Sequence, residues 1–230
     1  MADLPTGRPF AAFLFDMDGT LLNSIASANR CWQTWAERHG LDFAQIKPTM
    51  HGVRAVETIR RWAPDLDVAH EYAALTQAEM DDVDGIDAIS GAAAFLRALP
   101  PDRWALVTSA PRLLALRRLE AAGLPEPALL ITADDVANGK PAPDCFLLAA
   151  AKLGVAPADC LVWEDAPAGI AAAEAAGMAV VVIGATHEAP MRTPHPVIGG
   201  YDDLEVLVGE DGALRLAVRD WIASPLRGSQ

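Results

Sequence analysis

The chain has 230 residues, 52% of them apolar, enough for one large domain or a domain with an insertion. A net charge of −13 argues against nucleic acid and anionic membrane surfaces as partners. No apolar run reaches the ~18 residues of a membrane span, no secretory leader is visible, and Cys31, Cys145 and Cys160 are too widely spaced for a metal knuckle, so a cytoplasmic protein with reduced thiols is expected.

In chain order, FAAFLF (10–15) reads as a buried strand. It runs into FLFDMDGTLLNS (13–24), where Asp16 and Asp18 stand one residue apart before Gly19 and Thr20. A strand ending in Asp-x-Asp-Gly-Thr sets two acids at the carboxyl edge of a sheet, where open α/β folds bind ligands. The two carboxylates repel each other, so the arrangement calls for a cation or a chemical task. From ~23 to 88 no strand-like run occurs. SIASANRCWQTWAERHG, VRAVETIRRWA and VAHEYAALTQAEMDDV are helical patterns, which predicts an all-helical block inserted beyond the carboxylate turn, placed as a lid. The acidic EMDDVDGID (79–87) lacks the spacing of a calcium loop and reads as a solvated helix end.

Strand–helix alternation then resumes. WALVT (104–108), ALLIT (128–132), CLVW (160–163) and MAVVVI (178–183) are continuous apolar runs, as in a parallel sheet covered on both faces. Between them GAAAFLRAL (91–99), PRLLALRRLEAAG (111–123), DCFLLAAAKLG (144–154) and APAGIAAAEAAG (166–177) read as helices. The prediction is a doubly wound parallel α/β sheet, with a core of 1–22 and 89–230 and a helical cap of 23–88.

Polar residues fall at the ends of four predicted strands: Asp16 and Asp18, then Thr108 and Ser109, then Lys140 in NGKPAPD, then Glu164 and Asp165. Acids from two strands can share one hard divalent cation, and magnesium fits because it binds few carboxylates and keeps waters. Between Gly139 and Pro141, Lys140 does not read as a core lysine; as a point charge it would neutralise a phosphate or an aspartate. Thr108 or Ser109 at a helix start can bind phosphate oxygens. One Asp can attack phosphorus and the other can protonate the leaving alkoxide.

Four motifs in order, DMDGT (16–20), VTSA (107–110), GKPAPD (139–144) and EDAPAGIAAAEAAGM (164–178), make the chain similar to the haloacid-dehalogenase-like (HAD) phosphohydrolases, and the inserted block resembles that superfamily's first type of cap. The resemblance implies Asp16 as nucleophile and metal ligand, and Asp18 as general acid/base with its backbone carbonyl on magnesium. It further implies Thr108 and the Ser109 amide on phosphate, Lys140 bridging phosphate and Asp16, and Glu164 and Asp165 on magnesium, directly or through water. Asn23 stands where the family carries an acid. A finer similarity, through RCWQTWAERHG, MHGVRAVETIRRWAPD and LLITADDVANGKPAPD, is to small sugar and polyol phosphatases, including hexitol phosphatases, 2-deoxyglucose-6-phosphatases and glycerol-3-phosphatases. It implies His51, Gly52 and Arg54 as substrate contacts, with a small phosphorylated sugar or polyol as partner.

Three other chemistries use related parts. A phosphosugar mutase of the β-phosphoglucomutase type shares the motifs and cap type, though HGVRAVETI is more similar to the phosphatases. A 2-haloacid dehalogenase has no use for Asp18 or the Glu164–Asp165 pair. A receiver-like signalling domain is shorter and gives Asp18 and the cap no role. His187 reads as a structural or surface residue, Trp32 and Trp35 as cap core, and Trp163 as a strand residue packed under the site.

Overall fold

The computed structural model describes residues 3–219. Strand β1 (Ala12–Phe15) leads into β2 (Leu22–Asn23), then helices α1 (Ile25–Arg38), α2 (Phe43–Met50), α3 (Ala55–Trp62) and α4 (Val68–Asp81). The chain returns through β3 (Asp87–Ala88), α5 (Ala92–Arg97), β4 (Trp104–Val107), α6 (Arg112–Ala121), β5 (Leu130–Ile131) and α7 (Asp144–Leu153). It closes with β6 (Cys160–Glu164), α8 (Pro167–Ala175), β7 (Ala179–Ile183), β8 (Val197–Ile198), β9 (Leu204–Val208) and β10 (Leu214–Val218).

The expected parallel sheet is present, six strands wide, in the order β5-β4-β1-β6-β7-β8. Its five runs of apolar sequence pair in parallel register, Phe15 lying between Leu106 and Trp163. Side chains alternate across the pleat. Phe13, Phe15, Leu106 and Trp163 join α5 and α6 on one face, while Leu14, Ala105, Val107 and Val162 join α7 and α8 on the other. Both faces are covered, which is why the strands read as unbroken apolar runs. Trp163 is fully buried and stacks on Phe15 with centroids 5.6 Å apart, under the site as anticipated.

The helical block from α1 to α4 has an apolar core of its own, including Trp32, Trp35, Ile46, Ile59 and Leu75. Its two ends are clasped by the antiparallel pair β2–β3, Leu22 opposite Ala88. The sequence marks neither strand, because two residues carry no periodicity. Helix α2 was also unmarked: it is short and holds Pro48. The β8 strand and the antiparallel hairpin β9–β10 went unread as well; β8 is two half-buried residues and β9 is mostly exposed, although β10 alternates buried and half-buried positions.

The three cysteines are buried and free. Among the described residues no helix is long and apolar enough to cross a membrane.

Candidate active site

Strand order reverses at β1. The connections to β4 and β5 run one way, and β6 to β8 lie on the other side. A crevice therefore opens beyond the carboxyl ends of β1, β4 and β6, the usual ligand position in such sheets. Asp16 follows β1 directly, its N–H donating to Trp163 O at 2.9 Å, and Glu164 ends β6. The turn after Asp16 is tight. Gly19 has φ +88, and a Cβ there would overlap the Asp165 carboxylate, so glycine is required on two counts.

Asp16, Glu164 and Asp165 offer carboxylate oxygens all within 4.8 Å of one another. Lys140, on the loop before α7, lies among them. Its Nζ donates to Asp16 Oδ1 at 2.6 Å, Glu164 Oε1 at 2.7 Å and Val107 O at 3.2 Å. The sequence reading kept Lys140 out of the core, and the structure corrects it: the residue is 1% exposed. Burial is tolerable because each of the three ammonium N–H groups has an acceptor, two of them ionisable. Glu164 Oε2 in turn accepts the Asp165 and Ala166 amides, each at 2.9 Å. Gly169 of α8 leaves room for this carboxylate; a Cβ would overlap it.

Three carboxylates face one ammonium here. Burial pushes Asp16 up to about 8, opposed by Lys140 and reinforced by Glu164 and Asp18. Burial, then Glu164 and Asp16, also raise Asp165 well above the usual carboxylate range. Excess negative charge in a dry pocket is relieved by a hard divalent cation, and an all-oxygen donor set suits one. Glu164 already spends both oxygens on Lys140 and backbone amides, whereas Asp16 and Asp165 keep lone pairs free for such an ion.

Asp18 lies apart from that cluster. Its Oδ1 accepts from Ser24 Oγ, which opens α1, and from Arg118 Nη1 at 3.0 Å. At the end of β4, Thr108 Oγ1 accepts the Ala110 amide at 3.1 Å, and Ser109 Oγ donates to Gly52 O across the crevice at 3.0 Å. Asp16, Asp18, Thr108, Ser109, His51 and Gly52 all line one cavity between the sheet edge and the helical block, about 650 Å³ including its mouth. That size suits a small ligand. Burial holds the His51 imidazole below its ordinary value, so it is neutral at neutral pH.

Arg54 is placed differently. Outside the cavity lining, its guanidinium bonds Glu57 and donates to Ala137 O at 3.1 Å, on the loop that carries Lys140. Contact there is tight: a Cβ on Gly139 would come within 2.6 Å of Arg54 Nε, and one on Gly52 within 2.5 Å of the Ala166 Cβ. His187 follows β7 and is not among the residues that line the cavity. Trp32 belongs to the helical core as expected but also lines the cavity.

Two charged lining residues were not assigned to the site from the sequence. Arg118 of α6 is 5% exposed, and Glu79 of α4 is 6% exposed and faces it. For Glu79 the reading of the acidic run as a solvated helix end is overturned, since it packs against Arg118 of α6. A signal existed for Arg118: Leu114, Ala115, Arg118 and Leu119 form the buried stripe of α6, and a charge within such a stripe asks for a partner.

A haloacid dehalogenase-like hydrolase family model matches residues 10–177. Hexitol phosphatase A of Escherichia coli (strain K12) is 41% identical over 183 residues, covering 77% of this chain and 85% of that protein. Glycerol-1-phosphate phosphohydrolase 2 of Saccharomyces cerevisiae (strain ATCC 204508 / S288c) is 34% identical over 197 residues, covering 80% and 78%. Among solved structures, a hydrolase from Pseudomonas syringae superposes with a TM-score of 0.68 at 28% identity, covering 76% of this chain and 85% of that one. With its acid-tipped central strand, buried lysine and second acid pair arranged as described, the chain belongs to the haloacid dehalogenase-like hydrolases.

Proposed function

We propose that this chain is a magnesium-dependent phosphatase that hydrolyses a small phosphorylated sugar or polyol through a phosphoaspartate, and that residues 23–88 are its cap. The observation that carries the reading is the convergence of Asp16, Lys140, Glu164 and Asp165 at one sheet edge, with Asp18 two residues beyond the nucleophile position and lining the cavity. The phosphatases among its relatives give the substrate class.

Asp16 and Asp165, with Glu164 and the Asp18 backbone carbonyl nearby, would hold magnesium, which supplies charge neutralisation at the transferring phosphoryl group. Lys140 holds Asp16 in place and adds positive charge beside it. Thr108 and the Ser109 amide receive phosphate oxygens. The Asp16 carboxylate attacks phosphorus as the ester P–O bond breaks, and Asp18 gives its proton to the departing alkoxide oxygen. Asp18, now ionised, takes a proton from water as the water oxygen attacks phosphorus. Cleavage of the acyl phosphate returns Asp16 and releases inorganic phosphate. His51 and Gly52 face the leaving group, and Arg54 acts by holding the cap against the Lys140 loop. Three buried unpaired thiols agree with a cytoplasmic location.

The test is phosphate release from a panel of hexitol, glycerol, 2-deoxyglucose and fructose phosphates, with magnesium and with EDTA. Magnesium-dependent release concentrated on a few of these is expected, with a loss on the order of a thousandfold or more in Asp16→Asn. Isomer formation without phosphate release would favour the mutase instead, and metal-independent turnover would overturn the proposal.

A further inference from the structure

The cavity has a second polar end that the phosphoryl chemistry leaves unused. Arg118 rises from α6 of the core and Glu79 descends from α4 of the helical block, and both line the cavity. Their meeting joins the two parts: Arg118 Nη2 lies 3.2 Å from Glu79 Oε1. That approach lacks hydrogen-bond geometry, and among the described residues neither Nη2 nor Nε of Arg118 has a hydrogen-bond partner. Both nitrogens are closed off from the cavity, so Arg118 acts on Glu79 through charge and fixes that carboxylate at the cavity wall. Burial also raises Glu79 above the ordinary carboxylate value, against the pull of Arg118.

Position says what the Glu79 carboxylate faces. The hydrogen bond that Arg118 does make runs from Nη1 to Asp18 Oδ1, the carboxyl that faces the departing oxygen. Groups next to Asp18 on the side of the helical block therefore face the carbon chain of the leaving group, not its phosphate. There Glu79 offers carboxylate acceptors, to which a hydroxyl of the leaving group can donate. A bare alkyl chain would leave that carboxylate worse solvated than before.

We propose that Glu79, held by Arg118, forms a hydroxyl-reading subsite, specific for a hydroxylated leaving group and closed only when α4 sits against α6. This rests on the phosphatase reading of the same cavity. It makes Glu79 a specificity-determining residue contributed by the helical block.

The experiment compares kcat/KM for matched esters: glycerol 1-phosphate against propyl phosphate, and sorbitol 6-phosphate against hexyl phosphate. Each pair has a primary alkoxide leaving group; the hydroxyls also make the polyol alkoxide a better leaving group, but that intrinsic difference is the same for wild type and variant and cancels when their preferences are compared. The wild type should prefer the hydroxylated member of at least one pair strongly. In Glu79→Met that preference should fall by about tenfold to a hundredfold, and Glu79→Gln, which keeps an acceptor oxygen, should retain part of it. Partial unfolding lowers both rates alike and cancels in the ratio. A preference in Glu79→Met within about twofold of wild type overturns the subsite while leaving the phosphatase reading intact. No phosphate release by the wild type from any of these esters overturns both.

Discussion

Gly169 shows how a single position trades local preference against the site. It stands in the first turn of α8, where alanine would ordinarily be favoured over glycine by up to ~1 kcal/mol. Here the added methyl overlaps the Glu164 carboxylate, which is fixed from one side by Lys140 and from the other by two backbone amides. Moving that carboxylate would leave a fully buried ammonium short of an acceptor. Steric and electrostatic losses outweigh propensity, so Gly169→Ala should destabilise the fold by about 2 kcal/mol or more, read from urea unfolding. A variant as stable as wild type would show that Glu164 can move freely. The same network explains what the sequence could and could not say about these residues. Asp16, Asp18, Glu164 and Asp165 are legible because acids ending apolar runs have no packing reason to be there. The burial of Lys140 is not legible, since its acceptors come from β1, β4 and β6 and only the closed sheet assembles them. Arg118 and Glu79 are 39 positions apart in the chain and share no motif.

At the level of elements, the strands with strong apolar runs were readable because a sheet covered on both faces leaves no polar side. Helices with an unbroken stripe were readable likewise. β2, β3 and β8, of two residues each, exist through their neighbours alone. The β2–β3 clasp has a consequence for the site. It ties the helical block to the core next to Asp18, so the block meets the cavity through a narrow two-strand connection and a few side-chain contacts. Arg54, at the start of α3, is the most concentrated of these contacts, reaching the carbonyls of Val136 and Ala137. If it serves to keep the block seated, Arg54→Ala should lower kcat/KM for glycerol 1-phosphate and propyl phosphate by the same factor. The loss expected for two or so exposed-to-half-buried hydrogen bonds is about threefold to thirtyfold. A loss confined to the hydroxylated ester would instead make Arg54 a direct substrate contact. Glu79→Met and Arg54→Ala thus separate reading the leaving group from closing over it.

For the whole molecule, the net charge of −13 sets a problem that the site must solve locally. A phosphate monoester is an anion, and from a distance the protein repels it. At ~0.01 M salt the screening length is about 30 Å, so the entire surface acts on the approaching ester, whereas at ~0.15 M it is about 8 Å and only nearby groups count. Those nearby groups are Lys140 and Arg118, both nearly fully buried, together with the magnesium that Asp16, Glu164 and Asp165 would hold and that offsets their negative charge. Raising salt therefore removes long-range repulsion sooner than it removes the attraction felt inside the pocket, where water and ions are partly excluded. With free magnesium held constant and potassium chloride raised from about 0.01 to 0.15 M, kcat/KM for a polyol phosphate should rise several-fold. Stopped or initial-rate phosphate release at low substrate gives the number directly. A fall with salt would mean that the positive field at the crevice mouth, not the acidic surface, governs capture, and that the charges of the cavity reach further than their burial implies.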